Sequence, residues 1–302
     1  MRVTSPPNLQ ETDSQEQEQE QHRQASLQTR AAFSSAIAHR VRLRCLAVTS
    51  SSEFGHLGPD FSAADLISAL YAGVLRKPCV QSEHPDRDRF ILSKGHAALA
   101  LYSVLIELGW WPASILDNYG RLDGALAGHP SAHSPGIETC TGALGHGLPF
   151  AVGAALAARL HRSDRRTFVL TGDGELQEGS NWEAAMLAAT HGLDNLTVIV
   201  DRNGLQQGRA TESVCRLEPL ADKWRAFGWS VMEVDGHSAE QILACLDGLP
   251  LQKGRPSCIL ARTRKGKGVS FMEGQAAWHH KLPTSAEAEL AFRELGAAAA
   301  HE

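Results

Sequence analysis

From about residue 28 onward, two patterns of apolar spacing alternate along this chain. In one, apolar residues recur every three to four positions; in the other they run together in short β-branched blocks. The first pattern predicts helices over 27–48, "LQTRAAFSSAIAHRVRLRCLAV", and over 62–75, "SAADLISALYAGVL". Ser62 followed by Asp65 looks like a capping-box start for the second. A short strand over 87–93, "RDRFILS", is followed by a helix over 94–109 that ends at Gly109. Residues 119–141 hold Gly, Pro and His with little period, which predicts a long loop, and loops of that length are often functional.

After the loop the alternation becomes regular. Helices are predicted over 144–160, 177–192, 220–228, 238–249 and 285–300. Strands are predicted over 166–172, 195–203, 229–236 and 256–266. Apolar strands alternating with helices imply an α/β fold with a mostly parallel sheet covered on both faces.

Composition changes this picture mainly at the ends. Residues 1–27 are rich in Gln and Glu and nearly free of apolar groups, so they are expected to form a disordered tail; a helical extension used in assembly is the other reading. The folded domain is placed at 28–285, and 286–302 at a last helix with a loose end. At 43% hydrophobic and 21% charged residues, the chain can bury a sizeable core. A net charge of −5, with no basic stripe, argues against nucleic acid and against a membrane surface. No run approaches the ~18 apolar residues of a membrane span, and the first residues lack a signal-peptide core, so a cytoplasmic location is expected. The six cysteines form no C-x-x-C pair and read as reduced thiols.

The candidate chemistry starts at "TGDGELQEGSNWEA", residues 171–184. Asp173, Glu175, Glu178 and Glu183 lie close together there, and such a cluster is costly unless a cation or protons offset it. Asp173 follows one predicted strand and Asn203, thirty residues on, follows the next. A strand–helix–strand unit sets both at the carboxyl edge of a sheet, where open α/β sheets bind ligands. One carboxylate oxygen, one amide oxygen and nearby carbonyls suit a hard cation such as Mg²⁺. The glycines flanking Asp173 let a diphosphate approach the backbone, and the next helix adds amide donors.

These stretches resemble a family. Gly172-Asp173-Gly174 followed after about thirty residues by Asn203 is similar to the thiamine-diphosphate motif, and "ELQEGSNWEA" resembles transketolase. "GHLG", "DRDRFILSKGH", "AGHP", "TGALGHGL" and "KGKGVSFMEGQAAWHHK" resemble further transketolase motifs in the same order, over about residues 30–285. The resemblance implies a thiamine-diphosphate fold of the diphosphate-binding type. It also implies transfer of a two-carbon ketol unit from a ketose phosphate to an aldose phosphate. Asp173, Asn203 and the carbonyl of Leu205 would hold Mg²⁺, or Ca²⁺ or Mn²⁺ in its place. His96, Gly142, Ala143, Leu144, Gly174 and Asn203 would contact thiamine diphosphate. His56, His129 and His279 would line the sugar channel and assist proton transfer, a task that suits a side chain whose pKa lies near working pH. Glu178 and Glu183 would couple two active sites through a proton network across a subunit interface.

The Gly-His pairs at 56, 96 and 129 favour function, whereas His22, His84, His161 and His301 read as surface or satisfied core residues, and His133 and His237 stay open. Two positions depart from the family pattern: His146 stands where Gln is usual and His280 where Gly is usual. The chain also resembles only the first half of a transketolase. A separate carboxyl-terminal, pyrimidine-binding subunit is therefore expected, in a heterotetramer with two copies of each chain, and this chain alone is expected to be inactive. The alternatives are the alpha-type subunit of a decarboxylating 2-oxoacid enzyme and a transketolase-like subunit in specialised biosynthesis. A Rossmann-type nucleotide binder is disfavoured, because no G-x-G-x-x-G follows an early strand.

Overall fold

The computed structural model describes the backbone of residues 9–52, 54–76 and 84–298, and side chains from residue 24 onward within those ranges. Five parallel strands form the central sheet: β1 (Arg89–Leu92), β2 (Thr167–Gly172), β3 (Leu196–Arg202), β6 (Ser230–Asp235) and β7 (Ser257–Arg262). Their spatial order is β1-β2-β3-β7-β6. Two residues each of β4 (Leu205–Gln206) and β5 (Arg209–Ala210) pair as a small antiparallel hairpin directly after β3.

The helices are α1 (Leu9–Ser51), α2 (Leu57–Gly73), α3 (Ala98–Glu107), α4 (Gly147–Leu160), α5 (Gly179–Thr190), α6 (Thr211–Val214), α7 (Leu220–Ala226), α8 (Ala239–Asp247) and α9 (Ser285–Ala298). Side chains alternate across the sheet, so each strand feeds two cores. Ile91, Val169, Val198 and Cys258 share one register row and pack with α4, α5 and α7. Leu170, Ile199 and Ile259, one residue on, belong to the other core, with α1, α2, α3 and α8. The expected α/β architecture is therefore present.

Several boundaries differ from the sequence reading. Helix α1 begins at Leu9, inside the stretch expected to be a disordered tail. Gln and Glu are good helix formers, and extending a helix already nucleated downstream costs little per residue. Residues 1–8 and 299–302 lie outside the described residues, as does Cys79. Helix α2 starts five residues earlier than predicted, with Pro59 in its first turn, where a missing N–H is tolerated. Ser62 caps nothing; its hydroxyl donates to Asp201 Oδ2 at 2.6 Å, with the Pro59 carbonyl 3.1 Å from the same oxygen. The predicted start of α3 is instead a 3-10 turn over Gly95–Ala97 that carries His96. The β4–β5 hairpin and α6 are too short to leave a periodic signal.

The carboxyl ends of the strands meet on one buried carboxylate. Asp201, in β3, accepts from Lys94 after β1, Ser62 on α2 and Thr263 after β7, and Asn203 Nδ2 lies 3.2 Å from its Oδ1. Lys94 and Asp201 are both fully shielded. An exposed pair such as Arg225–Asp222 contributes ~0–1 kcal/mol, whereas losing one partner of a buried pair strands a charge and costs about 3–5 kcal/mol. Lys94→Met should therefore destabilise the chain by about 3–5 kcal/mol in urea unfolding, and an apolar replacement of both partners should recover much of the loss.

Candidate functional site

Where the strands end, their loops enclose a cleft of about 630 Å³. His56 enters from the head of α2, Lys94 and His96 from the turn after β1, and His129, Gly142 and Leu144 from the long loop. Asp173, Gly174 and Glu178 follow β2, and Asn203 and Leu205 follow β3. Lys265 and His279 come from the segment after β7. The expected residues thus converge, with two exceptions: Ala143 is exposed on the same loop and Glu183 is exposed on α5, both outside the cleft lining.

The two motif halves touch. The Asp173 N–H donates to the Asp201 carbonyl at 3.2 Å. Asp173 Oδ2 accepts from the Gly204 N–H at 2.6 Å and Arg202 Nη1 at 3.0 Å, and Oδ1 from the Gly174 N–H at 2.7 Å. Asp173 is 1% exposed. Burial, and then Asp201, push its carboxyl above the usual range, against the pull of the Gly204 N–H and Arg202.

Glu175, which in the sequence is only one of the clustered acids, is buried beneath the loops. It accepts from Ser93 Oγ and from the backbone N–H groups of Gly145 and Gly172, the latter two each 3.0 Å away. It ties the β1, β2 and long-loop ends together. The acidic cluster is thus eased by an arginine and by backbone amides, while Glu178 and Glu183 are simply exposed to water.

Four imidazoles pack ring against ring. His56 lies 5.7 Å from His96, 6.0 Å from His129 and 5.6 Å from His279, and His96 lies 5.2 Å from His279. Burial, then His280, His129 and the two lysines, push His56 down to about 3. Burial and then Lys265 push His279 down to about 3, and burial also lowers His96 and His129. This departs from the expectation of histidines titrating near working pH: the cleft's own groups keep them neutral. Lys265, held at about 8 by burial and Lys94, reaches His279 Nδ1 at 2.9 Å and the Leu205 carbonyl at 3.3 Å. An ammonium donating to Nδ1 leaves the proton of neutral His279 on Nε2.

The close approach of α2 to this segment depends on Gly58, where a Cβ would lie 2.6 Å from the Trp278 carbonyl. Gly142, at φ +125°, likewise leaves room for the His129 ring. Lys94 and Lys265 were missed in sequence, although each sits in a quoted motif, "SKGH" and "KGKG"; only their burial in the cleft marks them.

The remaining histidines separate. His237 Nδ1 pairs with Asp65 at 2.7 Å and its Nε2 accepts the Arg264 N–H at 2.7 Å, a satisfied packing role. His133 and His161 are exposed, and His22 and His301 lie outside the described side chains. His146 is exposed, with Nδ1 against the carbonyls of Ala143 and Leu144, and does not line the cleft. His280 stacks edge-on to His56 at 4.7 Å.

The donor set fits a polar, doubly charged ligand and a hard cation. His56 Nδ1 and Gln206 Oε1 are buried at the cleft without a partner. The bonds above leave one lone pair free on Asp173 Oδ1. Asn203 Oδ1 accepts only the Leu205 N–H among these bonds, and the Leu205 carbonyl only Lys265, so each also keeps an open position. Among the described residues no cluster of three His, Cys, Asp or Glu side chains could hold an ion. A cation here would rest on mixed amide, carbonyl and carboxylate oxygens, the preference of Mg²⁺.

A parallel sheet with glycine loops, lysines and oxygen donors lining a cleft at its carboxyl edge defines an α/β ligand-binding domain. Comparison with known proteins narrows this. Residues 33–300 match the family model described as transketolase, thiamine diphosphate binding domain. The chain belongs to the transketolase family. It is 43% identical over 254 residues to one subunit of the apulose-4-phosphate transketolase from Phocaeicola vulgatus, covering 84% of this chain and 90% of that one. It is 40% identical over 242 residues to a 6-deoxy-6-sulfo-D-fructose transketolase subunit of Clostridium sp., covering 80% and 88%. The solved transketolase of Leishmania mexicana superposes with a TM-score of 0.78 at 28% identity, over 87% of this chain but only 41% of that longer one.

The low histidine pKa values carry a signed consequence. A histidine depressed in the folded state binds its proton only in the unfolded chain between about pH 6.5 and 3, so it favours folding above 6.5 and that contribution fades as pH falls. Relative to His56→Asn, the unliganded wild type should lose about 2 kcal/mol between pH 6.5 and 5 in urea unfolding. Parallel pH profiles would show that His56 is not buried neutral.

Proposed function

We propose that this chain is the diphosphate-binding half of a two-chain transketolase, transferring a two-carbon ketol unit between sugar phosphates. The observation that carries this reading is the packed group of His56, His96, His129 and His279 facing Asp173 and Asn203 across one cleft. Asp173, Asn203 and the Leu205 carbonyl are the proposed ligands of a divalent cation, Mg²⁺ by preference. His96, Lys265, Gly142, Leu144 and Gly174 are the proposed diphosphate contacts, with Ala143 at the edge and the buried Lys94 acting through its charge. When bound, thiamine diphosphate supplies the carbon nucleophile that accepts the two-carbon unit.

The chain's own contribution is positioning and proton handling. The anionic diphosphate offsets the mutual repulsion of Lys94 and Lys265 and favours protonation of the neighbouring imidazoles. His279 presents its Nε2–H as a donor, and His56, with an unpartnered ring nitrogen, presents a site for a sugar hydroxyl. His129 stands beside them as a further hydroxyl contact. Glu178 is exposed at the cleft rim and Glu183 is exposed on α5 outside the cleft, which supports placing Glu183 at a subunit interface with Glu178 between that interface and the cleft.

The partner is a separate chain that supplies the pyrimidine-binding half. The subunit naming of the relatives supports it. A tetramer with two of each chain follows if both halves pair as in a dimer of full-length chains. The substrates are phosphorylated sugars or similarly anionic ones, and the two named relatives illustrate that range.

A coupled ketol-transfer assay tests this, with thiamine diphosphate, Mg²⁺, xylulose 5-phosphate and ribose 5-phosphate. Activity should require both chains, and Asp173→Ala should lower it by at least about 100-fold, the upper end of what even an outer partner of a metal ligand costs. Activity from this chain alone would overturn the split-enzyme reading. Intact activity in Asp173→Ala would overturn the cation site.

A further inference from the structure

We propose that Arg202 is a positioning residue that orients Asp173 for a divalent cation and links the cleft floor to the 211–218 segment. This rests on the cation reading above. Arg202 closes β3, and its side chain is 10% exposed. Nη1 donates to Asp173 Oδ2 at 3.0 Å and to Thr211 Oγ1 at 2.7 Å. Nη2 donates to Glu212 Oε1 at 2.9 Å and Glu218 Oε1 at 3.0 Å. One planar fork therefore joins the loop after β2 to the head of α6 and to the turn before α7.

Two features make this a geometric role rather than that of a resident cation competing with a metal. First, the Arg202 and Gly204 donors occupy Oδ2, so Oδ1 is left as the oxygen with an open lone pair. Without Arg202 the carboxylate keeps only backbone donors, and it can rotate away from the nearby Asp201 charge. Second, Asp173, Glu212 and Glu218 set three negative charges against one guanidinium. The ionised group stays net negative and attracts a dication. A lysine carries the charge but lacks the fork, so it can hold Asp173 or the two glutamates, not both sides at once.

The test uses this chain assembled with its pyrimidine-binding partner at saturating thiamine diphosphate, with Mn²⁺ titrated and the free ion read by electron paramagnetic resonance. Arg202→Met should weaken Mn²⁺ binding about 10- to 100-fold, the range for partners that orient a metal ligand. Arg202→Lys should recover part of this, and E212Q with E218Q should weaken binding a few-fold through lost charge. Circular dichroism checks folding, and R202K carries the test if R202M does not fold. Unchanged affinity in a folded Arg202 variant would overturn the inference while leaving the function intact. Tighter Mn²⁺ binding in R202M would also overturn it, because Arg202 would then be a competitor. Absence of Mn²⁺ binding in the wild type would take the inference down together with the cation reading.

Discussion

Everything at the working end of this molecule hangs on the buried Lys94–Asp201 pair. Asp201, within β3, accepts from Lys94 after β1, Ser62 on α2 and Thr263 after β7. Its carboxyl is held below the usual range despite full burial, because the Lys94 ammonium and three hydrogen bonds outweigh the cost of desolvation. A low-dielectric interior makes such a network expensive if incomplete and stiff when complete. The same lysine faces the cleft, so the charge that stabilises the sheet edge also sets the potential felt by a ligand.

A second layer of constraint lies just above. Glu175 binds the loops after β1 and β2 to the long loop, and Arg202 binds the β2 loop to the segment beyond β3. Both use carboxylates that would repel one another if left bare. Backbone amides and a guanidinium hold them, which leaves free lone pairs on a small number of oxygen atoms. Opposite these oxygens, the imidazoles are crowded among lysines and kept neutral. The cleft is therefore poised for an anion: negative charge arriving there relieves repulsion on one side and completes a cation's coordination on the other.

How much of this was visible in the residue order can be judged element by element. The five sheet strands and the helices that flank them follow from apolar period, and Asp173 and Asn203 were legible because each follows a strong strand. Gly-His pairs within the family-like motifs pointed to His56, His96 and His129, although His146 and His237 also follow glycine and stay out of the cleft. Period alone misplaced the start of α2, since Ser62 looks like a cap but faces inward to Asp201. It also missed the β4–β5 hairpin, which is two residues per strand.

The sequence by itself determined the layer architecture, the family and the two halves of the motif, because these depend on local period and on short spacings. Tertiary structure alone decided which polar groups are buried together. Glu175, Lys94, Lys265 and Arg202 are ordinary surface residue types until distant loops close over them. The same closure decided that His237 is a packing residue and that the cleft histidines are held neutral. Burial and charge proximity are sums over contacts far apart in the chain, and no local pattern of residues encodes those sums.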